Sequence, residues 1–556
     1  MVASVSGCRL GGLSGDSPLS ERLSEPIDRI PFAAEYLPEK LVHKTLMEET
    51  RETASPFQTA LTWTVIGCGA LLRIISYFLS DNSGGDAGAR LRLAAQWLQS
   101  PRWKVVFDVY LPGHFWLIGL FDVVFRNVLV AGRCLSLILG IGSIVIVLCL
   151  ARILYGARAA TLSAAVFTFF TLHIGYSTTS SSEVPYLFFT LLAMLLFYLA
   201  SSREDASIRY PALSGISLSV AESIRYEAWI MFAALGMILF AWILSQPDQR
   251  WYDRRQLQKV AVFGVTAGAW PAFMMAYSWR AFGHPLYLVN LNHSRVVGFL
   301  AENPKSIMVQ LAVFPTALLV SLSPVAFLVA IYGLCRSFSN LQTAAFASTT
   351  LFLGAVQFYQ ILNHGLLANA RYSISLGVLL AIASGFGFDR LIAVWTASRA
   401  RIAQVVFILF LCGNAAVVLA VSEVPNRYAD RFANVSPRLR YTPRITAVGR
   451  YLRGHMGPND SVLIDNYNVE SNVIADAAGL PFVRSPRVYL EGLKNSVTAR
   501  EYLETAHPRF LVYAIGGTIR NWLVLPARCE DEEVDGMRFH CVFTAEVYRV
   551  YELTYR

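Results

Sequence analysis

The chain has 556 residues, of which 55% are hydrophobic and only 15% are charged. Its mean hydropathy is +0.45, and an ordinary soluble core cannot absorb such an apolar excess. The formal net charge is +9, but the basic residues are scattered between apolar segments, which argues against nucleic acid as a partner. The composition therefore predicts an integral, multi-pass membrane protein whose surroundings are the lipid bilayer.

The N-terminal third begins with a polar tail and a first membrane span. Residues 1–56 carry both charge signs and lack the pattern of a signal peptide, so we interpret them as a cytoplasmic tail. A span is predicted at about 59–79, with Arg73 reaching the far surface by snorkelling. A first outer loop, 80–127, follows, and its apolar stretch 111–125 is interpreted as a half-buried helix because it is short for a span.

Ten further apolar segments are predicted to cross a bilayer core of ~30 Å, although several are slightly short and must tilt little or be partly buried in the bundle. They lie near residues 128–150, 159–176, 185–200, 211–224, 228–245, 260–281, 307–334, 342–361, 366–388 and 402–421. With the N-terminus inside, a total of about eleven transmembrane helices leaves everything after residue 421 outside. The short loops on the cytoplasmic side are rich in arginine, which supports this orientation. The support is only modest, because basic residues also occur in the two longest outer loops.

The composition changes to a soluble pattern at about residue 422. Short strands are predicted at 461–464 and 509–514, helices at 442–455 and 497–505, and a strand-rich end at 542–553. We therefore expect an extracytoplasmic α/β domain over 422–556. Cys529 and Cys541 bracket an acidic loop there, and they can form a disulfide if the domain faces an oxidising compartment.

The first outer loop contains Gly84-Gly85-Asp86 followed by Arg90 and an amphipathic pattern. A Gly-Gly pair allows a sharp turn, and Leu91, Ala94 and Trp97 have the spacing of an interfacial helix. Asp86 would then lie at the start of that helix, at the depth of a lipid head group. It is either a general base or simply the N-cap of the helix.

A second acidic residue, Glu183, opens a predicted span after a run of serines and threonines. Ser180 and Glu183 have the spacing of a capping box, which gives Glu183 a purely structural interpretation. The alternative is a carboxylate that faces Asp86 across a cavity.

Arginines interrupt the apolar segments at two predicted outer surfaces. Arg225-Tyr226 lies between two spans, and His364 precedes Arg371-Tyr372. An arginine at the hydrocarbon boundary is costly unless it meets an anion, so these residues are candidates to bind phosphate, with lipid head-group anchoring as the alternative. The segment 292–295, in a predicted long loop at 283–306, is a further candidate.

Other catalytic machinery is not evident in the sequence. There is no Walker-type loop, no Gly-x-Ser-x-Gly elbow and no His-Glu-x-x-His helix. The cysteines have no metal-type spacing. His173, isolated in an apolar run, is interpreted as a packed, hydrogen-bonded histidine.

Together these features resemble the GT-C superfamily of glycosyltransferases, in the branch that contains protein O-mannosyltransferases and the lipid A aminoarabinose transferase. The resemblance covers roughly residues 57–420 and depends on the order of its motifs: a first span with a late arginine, the Gly-Gly-Asp86 loop, Leu-Pro-Gly-His-Phe-Trp at 111–116, Ser-Glu183-Val-Pro-Tyr, Arg225-Tyr226 and Arg371-Tyr372. It implies a GT-C catalytic module over 57–421 with an outward cavity.

The resemblance also implies roles for individual residues. By position, Asp86 is the base that activates the acceptor hydroxyl, and Glu183 is the second-loop acidic residue of the active site. Family members often carry an acidic residue directly after this aspartate, whereas this chain has Ala87. Asp81 and Asp108 therefore remain alternatives to Asp86, and Asp108 and Arg90 are also assigned to the substrate site.

The implied reaction transfers a sugar from a polyprenyl-phosphate donor to a hydroxyl of a protein, lipid or glycan acceptor, with inversion at the anomeric carbon. No cofactor is required, since arginines alone can neutralise a phosphomonoester, although Asp86, Asp108 and Glu183 would be the residues to hold a divalent metal. A bacterial inner or plasma membrane is expected in preference to the endoplasmic reticulum. The competing hypothesis is a transporter or lipid flippase, although no inverted repeat is evident.

Overall fold

The structure is a computed structural model. It describes residues 55–80, 85–101, 110–202, 207–244, 254–302, 306–367, 369–422, 443–465, 471–480, 488–490 and 498–556. The predicted tail up to residue 54 and the carboxylates Asp81 and Asp108 lie outside these ranges.

The regular secondary structure described before residue 423 is helical. In chain order the helices are α1 (Pro56–Leu79), α2 (Gly85–Gln99), α3 (Pro112–Phe125), α4 (Val128–Tyr155), α5 (Ala157–Thr168), α6 (Thr171–Tyr176), α7 (Glu183–Ser202), α8 (Arg209–Ile224), α9 (Glu227–Leu244), α10 (Arg254–Phe282), α11 (Tyr287–Glu302), α12 (Ile307–Leu322), α13 (Pro324–Ser337), α14 (Leu341–Leu362), α15 (Ile374–Ile392) and α16 (Ala397–Ser422). A 3₁₀ turn, Ala370–Ser373, precedes α15.

Each of the predicted spans corresponds to one of these helices or to a consecutive pair. Seven described helices are long and apolar enough to cross a membrane, and the pair α12 and α13, bent by 107°, makes up to eight. The bend occurs at Ser323, whose φ of 84° interrupts the helix just before Pro324. The polytopic helical fold is therefore confirmed.

Local signals explain where several helices begin and end. Ser55 and Asn127 accept hydrogen bonds at the N-termini of α1 and α4, and Pro56 occupies the first turn of α1. Gly156, with φ of 87°, ends α4. The segment 283–306, predicted as a loop, instead contains α11, because apolar residues at 288, 291, 296, 299 and 300 recur at helical spacing.

A buried arginine stabilises the break between α5 and α6. Arg73 is fully buried and donates to the carbonyl oxygens of Phe167 and Thr168 at the end of α5, each at 3.3 Å. Its Nη2 also lies 2.9 Å from Nδ1 of His173, which is buried and hydrogen-bonded as predicted. The prediction that Arg73 snorkels to the surface is wrong, because the unpaired carbonyls of a helix end provide internal acceptors.

The chain ends in a small α/β domain. Its elements are α17 (Pro443–His455), β1 (Val462–Ile464), α18 (Ser471–Ala477), β2 (Val488–Leu490), α19 (Ala499–Ala506), β3 (Phe510–Ala514), β4 (Glu532–Val534), β5 (Met537–Ala545) and β6 (Tyr548–Tyr555). The strand order is β2-β1-β3-β6-β5-β4, with β1 parallel to β2 and β3, and the remaining pairs antiparallel.

Residues alternate between the two faces of this sheet. Val462 and Ile464 pack with α17 and α18, whereas Leu463 packs with α19. The predicted C-terminal α/β domain is confirmed. Helix α18 also contacts α2, the helix that carries Asp86.

Candidate active site

Glu183 and Arg225 form the centre of the candidate site. Nη1 of Arg225 lies 2.6 Å from Oε1 of Glu183, and the two side chains are only 9% and 3% exposed. Nε of Arg225 donates to Oε1 of Glu227 at 3.1 Å, and Nη2 contacts the same oxygen. One guanidinium is therefore shared by two carboxylates.

The chain path explains this grouping. Helix α8 ends at Ile224, and Arg225 is extended, so its side chain reaches the beginning of α7. Glu183 and Glu227 each occupy the first turn of a helix, where the helix dipole favours negative charge. Arg225 is buried and paired with carboxylates, which does not fit an arginine that anchors in lipid head groups.

The capping-box interpretation of Glu183 is not what the structure shows. The hydroxyl of Ser180 makes no hydrogen bond within the described part of the chain. Ser180 instead packs against Gly132 of α4. The residues 177–182 between α6 and α7, which we call the Ser/Thr loop, lie on this face of α4.

Arg371 and Tyr372 approach the ion pair from another segment. The Tyr372 ring centroid lies 5.4 Å from Cζ of Arg225, and Nη2 of Arg371 donates to the Tyr372 hydroxyl at 3.0 Å. Nε2 of Gln357 in α14 donates to the Tyr372 carbonyl oxygen at 2.8 Å, which fixes the turn. Predicted site residues from three distant segments therefore meet.

The helix that carries Asp86 lies beside the same loop. Asp86 is the second residue of α2, and its side chain is outside the described part of the structure. An ideal Cβ on Gly132 would lie 2.8 Å from Oγ of Ser180 and 3.0 Å from Cδ2 of Leu91 in α2. The first and second outer loops are therefore neighbours, although the distance from Asp86 to Glu183 stays a prediction.

His114, in the first turn of α3, is a site residue that the sequence analysis did not select. It is fully buried, and neither ring nitrogen has a hydrogen-bond partner among the described residues. Burial lowers the pKa of His114 well below its usual value, and the charges of Arg90 and Arg225 lower it further. The imidazole is therefore neutral and lies near both arginines.

The remaining predicted residues are distributed as follows. Arg90 is buried, with Cζ 4.5 Å from the ring centroid of Tyr110. Tyr226 packs in an apolar cluster, with its ring 5.5 Å from Trp229. His364 has an exposed side chain and a left-handed backbone with φ of 53° after α14, so it is not part of the buried cluster.

An apolar groove begins next to the charged cluster. It has a volume of about 750 Å³, and its lining includes Gly113, Trp97, Trp116, Ser223 and Trp270. A Cβ on Gly113 would lie 2.0 Å from Oγ of Ser223, so only glycine allows α3 to approach the end of α8 this closely. His114 directly follows Gly113, and Arg225 lies two residues after Ser223. One end of the groove therefore lies at the charged cluster.

Metal-binding groups are not found among the described residues, where no three His, Cys, Asp or Glu side chains are grouped to hold an ion. Because the side chains of Asp86 and Asp108 lie outside that part of the structure, the absence of a metal requirement stays a prediction.

The fold of the chain is similar to the folds of solved membrane-protein structures. ArnT from Cupriavidus metallidurans, bound to undecaprenyl phosphate, matches with a TM-score of 0.57 at 12% identity, over 89% of this chain and 98% of that one. The archaeal oligosaccharyltransferase AglB from Archaeoglobus fulgidus, in complex with an inhibitory peptide and a dolichol-phosphate, matches with a TM-score of 0.50 at 14% identity, over 83% and 69%. The chain has the GT-C glycosyltransferase fold.

Sequence comparison adds a narrower match within the GT-C fold. Residues 111–274 match the family described as dolichyl-phosphate-mannose-protein mannosyltransferase. No curated protein sequence matches the chain. The predicted resemblance to the mannosyltransferase and ArnT-like branch of the GT-C superfamily is therefore confirmed, and the matched segment contains His114, Glu183 and Arg225.

Proposed function

We propose that this protein is a membrane glycosyltransferase that transfers a sugar from a polyprenyl-phosphate donor to an acceptor hydroxyl at the outer face of the membrane. The observation that carries the proposal is the meeting of Glu183, Arg225 and the Arg371-Tyr372 pair beside the loop of Asp86. A buried cluster of this kind, placed at one end of the helices, fits a reaction with an anionic leaving group.

The proposed reaction is an inverting displacement at the anomeric carbon. A carboxylate oxygen of Asp86 takes the proton of the acceptor hydroxyl while the hydroxyl oxygen bonds to the anomeric carbon. The bond from that carbon to the phosphate oxygen breaks, and its electron pair stays on the phosphate. The result is a glycoside of opposite configuration and a polyprenyl monophosphate.

The leaving phosphate is stabilised by the basic residues of the site. Arg371 and Arg90 supply positive charge, and neutral His114 has an N–H that it can donate. Arg225 shares its charge with Glu183 and Glu227, so its effect on the phosphate is smaller than its position alone suggests. Its main contribution is to hold Glu183 and Tyr372 in place.

The apolar groove provides a place for the polyprenyl chain. Its walls are mainly tryptophan and aliphatic side chains, including Leu120 and Val265, which are 64% and 73% exposed. A groove open to the membrane interior lets an isoprenoid chain stay in lipid while the phosphate meets the basic residues.

The orientation of the protein belongs to the same proposal. The N-terminus is cytoplasmic, and the α/β domain lies outside. The Cys529–Cys541 disulfide supports this orientation, because disulfides persist in oxidising compartments.

The test is transfer of radiolabelled sugar from a panel of polyprenyl-phosphate donors to membrane acceptors, with purified wild type and Asp86→Asn. We expect the variant to lose about 10²–10⁴-fold in turnover while it keeps its helical circular dichroism and its affinity for polyprenyl phosphate. The control Asp535→Asn changes an exposed aspartate of the soluble domain in a turn with φ of 49°, which asparagine tolerates.

Two further variants, Asp81→Asn and Asp108→Asn, identify the base. Loss of turnover in either one, with Asp86→Asn active, would move the role of base to that residue. If the wild type transfers sugar from no donor of the panel, the proposal is wrong, and assays of lipid or solute transport become the next experiment.

A further inference from the structure

Arg133, in the second turn of α4, connects the two outer loops of the candidate site. Nη2 donates to the carbonyl oxygen of Tyr77 at 2.6 Å and to that of Ser80 at 2.7 Å. Nε donates to the carbonyl oxygen of Thr178 at 2.9 Å. The Cζ atom also lies 4.3 Å from the ring centroid of Tyr77. One side chain therefore contacts both the end of α1 and the Ser/Thr loop.

The chemistry of these contacts favours arginine. The carbonyl oxygens at the C-terminus of a helix have no partner within the helix and carry partial negative charge, which a cation satisfies. The guanidinium has five N–H donors in one plane, so it can hold acceptors in different directions at fixed angles. A lysine ammonium has neither the reach nor the fixed geometry for the same three oxygens.

Close packing reinforces the same junction. The Ser/Thr loop rests on α4 at two glycines, since a Cβ on Gly132 would lie 2.8 Å from Ser180 and a Cβ on Gly140 would lie 2.4 Å from Ser177. The hydroxyl of Thr178 also donates to that of Ser80 at 3.2 Å. The starting point of the first outer loop and the Ser/Thr loop are thus joined directly as well as through Arg133.

The two loops lead to the two acidic residues of the proposed reaction. Along the chain, Asp86 follows Ser80 and Glu183 follows Thr178 after only a few residues. A change at the junction would therefore move both carboxylates relative to each other. In catalysis a misplacement of about 1 Å can lower the rate by ~10²-fold.

We propose that Arg133 is a positioning residue, which fixes the first outer loop against the Ser/Thr loop and so sets the relative position of Asp86 and Glu183. The inference rests on the proposed function, because it assigns Arg133 an effect on a reaction in which those carboxylates act. It predicts a defect in kcat and not in donor binding, because Arg133 holds the end of α1 against the Ser/Thr loop, whereas the donor phosphate is assigned to Arg371 and Arg90.

Steady-state kinetics of sugar transfer test the first part of the inference. Arg133→Met should lower kcat by about 10–10²-fold, with the donor KM within about threefold of wild type. Arg133→Lys keeps the charge and should recover part of the rate. Arg152→Met is the matched control, because Arg152 is exposed in the last turn of the same helix and should leave kcat unchanged.

A crosslinking experiment tests the position of the loops without any assay of activity. Ser80→Cys and Thr178→Cys are introduced together, since the native side-chain oxygens are 3.2 Å apart. Cys134 is replaced by serine, because its sulfur lies 3.5 Å from the Tyr77 hydroxyl and close to the junction. With a mild oxidant, the cysteine pair should form a disulfide several-fold more slowly when Arg133→Met is added.

The outcomes separate the inference from the proposed function. Unchanged kcat in Arg133→Met, or unchanged crosslinking in protein that elutes as a folded species, would overturn the positioning role. If the wild type transfers no sugar, the proposed function fails, and the crosslinking rate alone decides whether Arg133 holds the loops together. If Arg133→Met does not fold, the same measurements on Arg133→Lys decide the question.

Discussion

The guanidinium of Arg225 and the carboxylate of Glu183 meet at 2.6 Å between Nη1 and Oε1, in a part of the protein from which water is nearly excluded. The pair connects the start of α7 with the junction of α8 and α9, two sites that are 42 residues apart in the chain. Glu227 completes the group as a second carboxylate on the same arginine. Because one guanidinium pairs with both carboxylates, the first prediction concerns its removal.

Removal of Arg225 should destabilise the protein more than removal of Glu183. Arg225→Met removes the guanidinium that pairs with both Glu183 and Glu227, and removal of one partner of a buried ion pair typically costs about 3–5 kcal/mol. Glu183→Gln keeps the Arg225–Glu227 pair and should cost about 1–2 kcal/mol. Denaturant unfolding in detergent measures both values. The exposed pair Arg500–Glu504 provides a control, since Arg500→Met should change the free energy of unfolding by less than about 1 kcal/mol. Equal losses of stability in Arg225→Met and Glu183→Gln would contradict the prediction.

Arg371 should determine the affinity for the donor. If its guanidinium meets the phosphate, Arg371→Leu should raise the donor KM at least about tenfold, which corresponds to ~1.4 kcal/mol. Tyr372→Phe keeps the ring over Arg225 but removes the acceptor for Nη2 of Arg371, so a smaller increase is expected. The donor KM of each variant is the measurement, with Tyr359→Phe, an exposed tyrosine of α14, as the control. A donor KM unchanged in Arg371→Leu would remove Arg371 from the phosphate site.

His114 should make the folded protein less stable in mild acid. The folded imidazole stays neutral because burial and two arginines lower its pKa, whereas the imidazole of the unfolded chain has a pKa of about 6.5. Below that pH the unfolded state binds a proton that the folded state excludes, so the free energy of unfolding falls as the pH decreases.

The measurement is the thermal midpoint in detergent between pH 7.5 and pH 5.5. His114→Asn should flatten the decrease, whereas His455→Asn, at an exposed histidine of α17, should keep the wild-type dependence. Parallel curves for wild type and His114→Asn would show that the imidazole titrates in the same way in the folded and unfolded states.

The disulfide should stabilise the α/β domain. Cys529 and Cys541 are separated by 12 residues and join the segment before β4 to β5. A loop of this size contributes about 2–3 kcal/mol, chiefly by restricting the unfolded chain. The double variant Cys529→Ser/Cys541→Ser should lower the free energy of unfolding of the domain by that amount. Mass spectrometry of the wild type after thiol labelling should show both cysteines protected. Labelling of both cysteines in protein purified from membranes would place the domain in a reducing compartment.

Sugar transfer should continue after removal of divalent metals. The proposed leaving group is a phosphomonoester, whose charge Arg371 and Arg90 can neutralise. Activity of the purified enzyme before and after treatment with EDTA is the measurement, and the rates should agree within about twofold. A loss that Mg²⁺ or Mn²⁺ restores would show that the carboxylates of the outer loops hold a metal.

The sequence by itself determined the class of the protein and the position of its helices. Apolar segments longer than a bilayer core have few alternatives to a spanning helix, because backbone polar groups must be satisfied within the segment. The α/β domain was also visible, since short buried strands and the capping-box spacing of Thr498 and Glu501 at the start of α19 are local signals. The order of the motifs identified the GT-C fold.

Only the tertiary structure decided what the charged side chains do. Ser180 and Glu183 have capping-box spacing, yet Glu183 pairs with Arg225, because a buried carboxylate gains more from a guanidinium than from the end of its own helix. Arg73 was expected at the membrane surface, but it is buried against the carbonyl oxygens of α5. Such partners are distant in the chain, and local patterns do not contain them.

The same reason explains why the sequence assigned no individual role to Arg133, nor to His114, which entered only as part of the Leu-Pro-Gly-His-Phe-Trp motif. His114 is distinguished only by its surroundings in the folded protein. It is buried near Arg90 and Arg225, and neither ring nitrogen has a hydrogen-bond partner among the described residues. Arg133 looked like any arginine near the end of a span, and its contacts with Tyr77, Ser80 and Thr178 depend on how α1, α4 and the Ser/Thr loop pack. Hydropathy fixes which segments enter the membrane, whereas the packing of those segments decides which polar groups meet.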